Sequence, residues 1–460
     1  MSVIESNAPT AANPPADATL SAERLAALHD GFAADPRNTL AQNAVTQTTI
    51  DDIALNRAVV TSTDHTFSHH LDDWEVTNQK ASGRCWLFAG LNLIRQGAMQ
   101  KMNLKSFEFS QNYAMFWDKL ERANYFLEQI IATAGQPVGD RVVAHLLGSP
   151  IDDGGQWNMF VNIVKKHGLV PKSAMPETQS SSSTRKMNTA LLNVLREGAA
   201  ALRSLIEGGA GQPDVSAKKD DIVATAHRVL CIHLGTPPTE FDWQWKDNDN
   251  AFHRDGTMTP QQFAKKYCTI NLQDYACLVH DPRDTSPFGK TFTVAHLGNV
   301  VGGEPVKYLN VPIDVMKQAT QQAIVGGEPV WMGCDVGKMM RRDLGIWDAK
   351  LFDYASVYQA EFAHDKADRL LYHQTQMTHA MLFTGVDVAE DGSPRRWRVE
   401  NSWGEKGGIK GFYVMNDSWF DEYMFEVAVH KDLLPAPLRE ALDSEPIVLP
   451  AWDPMGALAR

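Results

Sequence analysis

The feature that most constrains this chain is a change of hydrophobic period along it. From Cys85 the string CWLFAGLNLIRQGAM places Leu87, Leu91, Ile94 and Ala98 at helical spacing. Near the other end PVWMGCDVG, HAMLFTGVDV, RRWRVENSW and KGFYVMN are short β-rich runs of period two, separated by Gly, Asp-Gly and Ser-Pro breaks. A helical half followed by an antiparallel β half predicts an α+β fold.

The same reading divides the chain. A second helix follows DDGGQW, with Met159, Ile163 and Val164 on one stripe and a stop at His167-Gly168 and Pro171. After the polar break QSSSSTRKMN, the stretches LLNVLREGAAALRSLI and DDIVATAHRVLCIHL predict two more helices. FDWQWKDNDNAFHRDG predicts a hairpin around its DND turn, and Thr259-Pro260 a helix start. These set 181–290 apart as an insertion. The predicted order is a flexible tail at 1–20, an N-terminal extension and helical half at 21–180, the insertion, a β-rich half at 291–440, and a C-terminal tail at 441–460.

With 460 residues, 43% of them apolar, the chain can bury a substantial core. It has no run of eighteen apolar residues, and its start lacks a basic and then apolar leader, so a soluble cytoplasmic protein without membrane association is expected. Five widely spaced cysteines without a CxxC pair argue against disulfides or a zinc ribbon. The net charge of −13 argues against a nucleic-acid partner. Neither HExxH, DxDxDG nor paired carboxylates occur, so no metal and no cofactor are expected.

Three blocks can build one site: QKASGRCW (79–86), MTHA (377–380) and ENSWG (400–404). A thiol at a helix start, facing an imidazole, has the two features that favour a nucleophilic thiolate, and Cys85 can have both. Gln79 precedes a Ser-Gly turn that can fold its amide back, so that its NH2 and the Cys85 N–H would form an oxyanion hole. A lone histidine in an apolar run is more often core. Asn401, 22 positions after His379, can hold the ring towards the thiol, and Trp403 can shield that bond from water.

These blocks resemble the cysteine, histidine and asparagine signatures of the papain superfamily, in the same chain order. Two departures stand out. SGRCW replaces the CGSCW of secreted papains, and 294 positions (379 − 85) separate Cys85 from His379, against about 130–150 in papain-like enzymes. Both departures, together with DDGGQWNMFVNIVKKHGLVPK, PVWMGCDVGK and PAWDPMGALAR, resemble the bleomycin hydrolase or aminopeptidase C family from about residue 40 onwards. The resemblance implies a papain-like fold with a large helical insertion and a homohexamer with its sites on an internal channel.

The resemblance also implies that Gly154 and Gly155 pair with the extended substrate, a bare backbone that another chain can approach closely. A helix-entry turn is the alternative. The tail DSEPIVLPAWDPMGALAR carries three prolines and is expected to run extended. In the family it lies in the cleft, where a terminal carboxylate beside Ala459 would pair with the substrate's α-amino group. A frayed end is the alternative. Arg460 extends the family-like ending by one residue and is a candidate for self-removal.

The expected function is a cysteine aminopeptidase acting on peptides: Cys85 attacks, His379 transfers the proton, Asn401 orients and Gln79 stabilises the oxyanion. An acyltransferase on the same fold and a catalytically vestigial hexameric scaffold are the alternatives.

Overall fold

A computed structural model of the chain describes residues 14–15, 18–71 and 74–459. Most of the expected tail at 1–20, and Arg460, lie outside the described residues. The chain forms two units. The smaller is Met1–Arg57 with Phe352–Ala363. In it Ser21, Asp35 and Thr49 cap the helices Ala22–Ala34, Pro36–Val45 and Ile50–Ala54 by accepting backbone N–H bonds. The returning segment is stitched on through Asp353 N–H to the Ala54 carbonyl at 2.8 Å and Tyr354 Oη to Asp51 at 2.6 Å.

The larger unit, Ala58–Leu351 with His364–Arg460, holds helices and sheet. The helix expected from Cys85 runs to Met102 and stops where Asn103 takes a left-handed φ of 52°. It is buried on nearly every face of its first three turns rather than on a stripe. Helix Gln111–Ala132 was not legible in the sequence because Asp118, Lys119, Glu121 and Arg122 interrupt its apolar pattern. All four are buried and paired.

Among the described residues twelve strands join one sheet. Its middle is Met424–His430, Val330–Cys334, His379–Val388, Pro394–Glu400 and Phe412–Asn416, all antiparallel as expected. Towards the edges, strands outside the four expected runs add three parallel pairings. Tyr275–Val279 lies parallel to Tyr308–Asn310 because the intervening strand Thr291–Val294 returns on the outer side. Helix Cys85–Met102 packs on the central strands, as does helix Ile313–Val325, and two separate clusters of buried side chains result. Burial on both faces is why His379–Val388 reads as an almost continuous apolar run.

In the segment set apart as an insertion, helices Arg185–Glu207 and Gln212–Leu234 pair with each other and with Gln111–Ala132 through Leu191, Leu195, Leu202 and Leu230. The hairpin is Phe241–Lys246 with Phe252–Met258, its turn closed by Asp247 accepting from Asp249 and Ala251 N–H. Thr259 and Gln262 form a capping box around Pro260. Tyr275–Val279, counted within 181–290, is a strand in the interior of the main sheet.

The C-terminal tail does not run extended throughout. Ile447–Leu449 pairs with Thr291–Val294, and Pro454–Ala459 winds into a 3₁₀ helix. The proline that argued against helix stands first in that turn, where its missing N–H costs nothing.

Candidate active site

Cys85 is the first residue of its helix, so its thiol stands where the helix dipole favours negative charge. The chain reaches it through Gln79–Arg84, and that approach is fixed twice. Arg84, fully buried, forks onto Glu177 at 2.9 and 2.8 Å. The Gly83 N–H donates to Asp153 at 3.1 Å. One turn on, Trp86 donates from Nε1 to the Asp153 carbonyl at 2.7 Å, joining the helix start to the glycine pair.

His379 opens its strand opposite Cys334, and the next residue, Ala380, directs its backbone N–H at the Cys85 sulfur. His379 and Cys85 line the same cavity. His379 Nε2 lies 3.0 Å from Asn401 Oδ1. An amide oxygen only accepts, so Nε2 carries the hydrogen and Nδ1 is the ring's basic nitrogen. Asn401 is fully buried, and among the described residues its Nδ2 has no hydrogen-bond partner. The Trp403 ring lies over the imidazole with centroids 5.0 Å apart.

Gln79 is held from both sides. Its Oε1 accepts from Ser402 Oγ at 2.6 Å and its Nε2 donates to the Ser82 carbonyl at 2.5 Å. That assignment turns the NH2 towards the turn before Cys85 and leaves it a second hydrogen to give. Gln79, Cys85, Asp153, Gly154, His379 and Leu458 line one cavity of about 260 Å³. A larger cavity of about 660 Å³, beside His65, Trp74 and Arg398, contains none of the site residues, so here chemistry and not volume picks out the site.

The two glycines separate. A methyl group at Gly154 would run into the Leu458 carbonyl, whereas one at Gly155 would run into the Trp86 ring. Gly154 thus faces the tail across the cleft, and Gly155 packs against the core. Ala459 is buried, and its carbonyl accepts from Arg122 Nη1 at 3.2 Å. Arg122 also donates to the Gly154 carbonyl.

Electrostatics depart from the sequence expectation of a stabilised thiolate. Burial pushes the Cys85 thiol up to about 11, against the backbone N–H groups of Ala380, Trp86 and Cys85 itself. Burial also pushes His379 down to about 4, with the Asn401 bond acting the other way. Burial therefore works against the charged form of both thiol and imidazole, while the helix start and the surrounding N–H groups work for the thiolate. Burial acts to raise Asp153, yet the Lys119 ammonium at 2.6 Å and bonds from Thr184 and Asn188 hold its carboxyl far below the usual range.

Several residues escaped the sequence reading. Asp153 directly precedes the glycines, and Lys119 and Arg122 sit one turn apart on helix Gln111–Ala132. Glu400 is buried beneath the asparagine block, bonded by Trp74 at 2.6 Å, Asn92 at 2.8 Å and Arg95 at 2.8 Å. Charged residues inside apolar runs were the available signal. Among the described residues no group of His, Cys, Asp and Glu is placed to hold a metal, and no helix is long and apolar enough to cross a membrane. All five cysteines are free thiols.

A helix-borne cysteine beside a strand-borne histidine, with a helical layer on one side and a sheet on the other, defines the class as a thiol peptidase of papain-like fold. The chain belongs to the peptidase C1-like family, whose model matches residues 19–456. It is 44% identical to bleomycin hydrolase of Rattus norvegicus over 452 residues, covering 96% of this chain and 100% of that one. Aminopeptidase C of Streptococcus thermophilus is 43% identical over 441 residues, covering 96% and 99%. The crystal structure of pepw from Lactobacillus rhamnosis superposes with a TM-score of 0.94 at 43% identity, covering 96% of this chain and 99% of that one. The chain is thus a cysteine-type peptidase with the papain-like fold expected of it.

Proposed function

We propose that the protein is an aminopeptidase that removes residues one at a time from the amino end of peptides. In this reading the Cys85 thiol passes its proton to His379 Nδ1 and attacks the first peptide carbonyl. The Gln79 NH2 and the Cys85 N–H receive the oxyanion, His379 protonates the leaving amine, and water then cleaves the thioester with His379 as base. Asn401 holds the ring, and Trp403 keeps water from that bond.

One observation carries the exopeptidase direction: the tail's last turn lies in the cavity of Cys85 and His379, with the Leu458 carbonyl against Gly154. A tail in that position leaves room for only a short stretch of substrate before the scissile bond. Gly154 then pairs with whichever extended backbone occupies the cleft, substrate or tail. Gly155 supports that strip through its contact with Trp86, and Ala459 ends the blocking segment. The self-removal of Arg460 concerns a residue outside the described ones. Intact mass of active enzyme against Cys85→Ala tests it, and Arg460 kept equally in both refutes it.

The assembly belongs to the same proposal: a cytoplasmic homohexamer, with the segment from 181 to the strand at Tyr275 as its contact region and peptides, not nucleic acid, as partners. Light scattering of the full chain tests the hexamer. For the chemistry, Cys85→Ala is expected to abolish hydrolysis of aminoacyl arylamides without changing the assembly, and retained hydrolysis would refute the assignment.

A further inference from the structure

Between its edge strand and its buried tip, the tail passes Arg283, where charge holds it beside the packing of Met455 and the Arg141 guanidinium over Trp452. Arg283 is 8% exposed and makes two forks. One goes to Asp281, from Nε at 2.8 Å and Nη2 at 2.7 Å. The other goes to Asp453 of the tail, from Nη1 at 3.1 Å and Nη2 at 3.0 Å. The loop that carries Arg283 is itself fixed, because buried Asn310 donates to the Asp281 and Ser286 carbonyls and accepts the Asp281 N–H.

The segments on either side show why this point matters. Upstream, strand Ile447–Leu449 is a sheet edge with Val448 63% exposed, so it is held mainly by backbone bonds. Downstream, Asp453 Oδ1 also accepts the Met455 N–H at 2.9 Å and so starts the 3₁₀ turn that ends at Leu458 and Ala459. One carboxylate both pins the tail and begins the turn that aims its tip. When this fork opens, Arg283 keeps its Asp281 partner but loses both bonds that tie it to the tail, so the tail's position depends on the fork.

We propose that Arg283 is a specificity-determining positioning residue: through Asp453 it fixes where the tail ends in the cleft, and therefore how much peptide fits ahead of the scissile bond. This rests on the reading that the tail blocks the cleft. An enzyme with the pin loosened accepts peptides whose amino end is blocked, and internal stretches of longer peptides, without any change to Cys85 or His379.

The test compares wild-type enzyme, Asp453→Asn, Arg283→Lys and a chain ending at residue 450, each on one peptide with a free and with an acetylated amino end. Asp453→Asn preserves size and leaves the Arg283–Asp281 fork intact. It is expected to raise the blocked-to-free ratio of kcat/KM at least tenfold, with KM for the free peptide rising while its kcat stays within a few-fold. Arg283→Lys, which loses the fork but keeps the charge, is expected to fall between Asp453→Asn and wild type, and it decides the question in the same way if Asp453→Asn does not fold. A ratio unchanged in both variants but raised in the shortened chain overturns the pin and leaves the blocking tail standing. Rejection of the blocked peptide by the shortened chain overturns both.

Discussion

The carbonyl oxygen of Leu458 lies so close over the α-carbon of Gly154 that no side chain fits between them. Gly155, one residue on, meets Trp86 instead. The two neighbouring glycines therefore answer to different constraints, and substitution separates them. Gly154→Ala is expected to dislodge the tail tip, seen as faster proteolysis within 446–459, and to lower kcat/KM on short peptides about tenfold. Gly155→Ala should instead cost stability, by roughly 1–3 kcal/mol as overpacking against the core, measured by urea unfolding.

Asn401 spends its oxygen on His379 and leaves its Nδ2 buried without a partner among the described residues. Replacing it with Ala removes the group that fixes the ring but also removes that orphaned amine. We expect kcat to fall, on the order of 10²-fold, while the stranded His379 Nε2 hydrogen costs roughly 1–3 kcal/mol of unfolding free energy. A large stability loss at unchanged kcat would assign Asn401 to the scaffold alone.

The buried imidazole also sets a pH dependence. His379 titrates at about 4 in the folded chain against 6.5 when exposed. Between those values the unfolded chain binds a proton that the folded one does not, so stability falls as pH drops from 6.5 to 4 and this contribution then levels off. His379→Gln should flatten that part of the profile, measured by denaturant midpoint against pH.

Glu426 works in the opposite sense. It is fully buried, and burial raises it to about 8 from 4.5, with a side-chain hydrogen bond from Cys277 acting the other way. The folded chain keeps a proton that the unfolded chain has lost, so stability declines as pH rises from 4.5 to 8. Glu426→Gln is expected to raise Tm at pH 8, by an amount on the order of a few kcal/mol of stability, and to change it little at pH 4.5. A Tm at pH 8 that is the same in Glu426→Gln and wild type would contradict the raised carboxyl.

Much of this site was legible in the sequence because its parts sit where local rules operate: Cys85 at the first turn of an apolar helix, His379 at the first position of a strand, Asn401 just past the next one. What holds those parts was not. Lys119, Arg122 and Arg84 carry no local pattern that names a partner, and only the fold brings them to Asp153, to the tail and to Glu177. The parallel strand pairings and the tail's 3₁₀ turn depend on which edge remains free and on one carboxylate at Asp453, and neither has a periodicity to read. The burial that opposes charge on thiol and imidazole comes from residues far away in the chain.

The most direct test of the account is the time course of products from one peptide offered with a free and with an acetylated amino end to the same full-length enzyme. The account predicts stepwise release of single residues from the free peptide, none from the acetylated one, and neither reaction with Cys85→Ala. Equal cleavage of both peptides, or cuts inside the chain before the first residue is released, would contradict it.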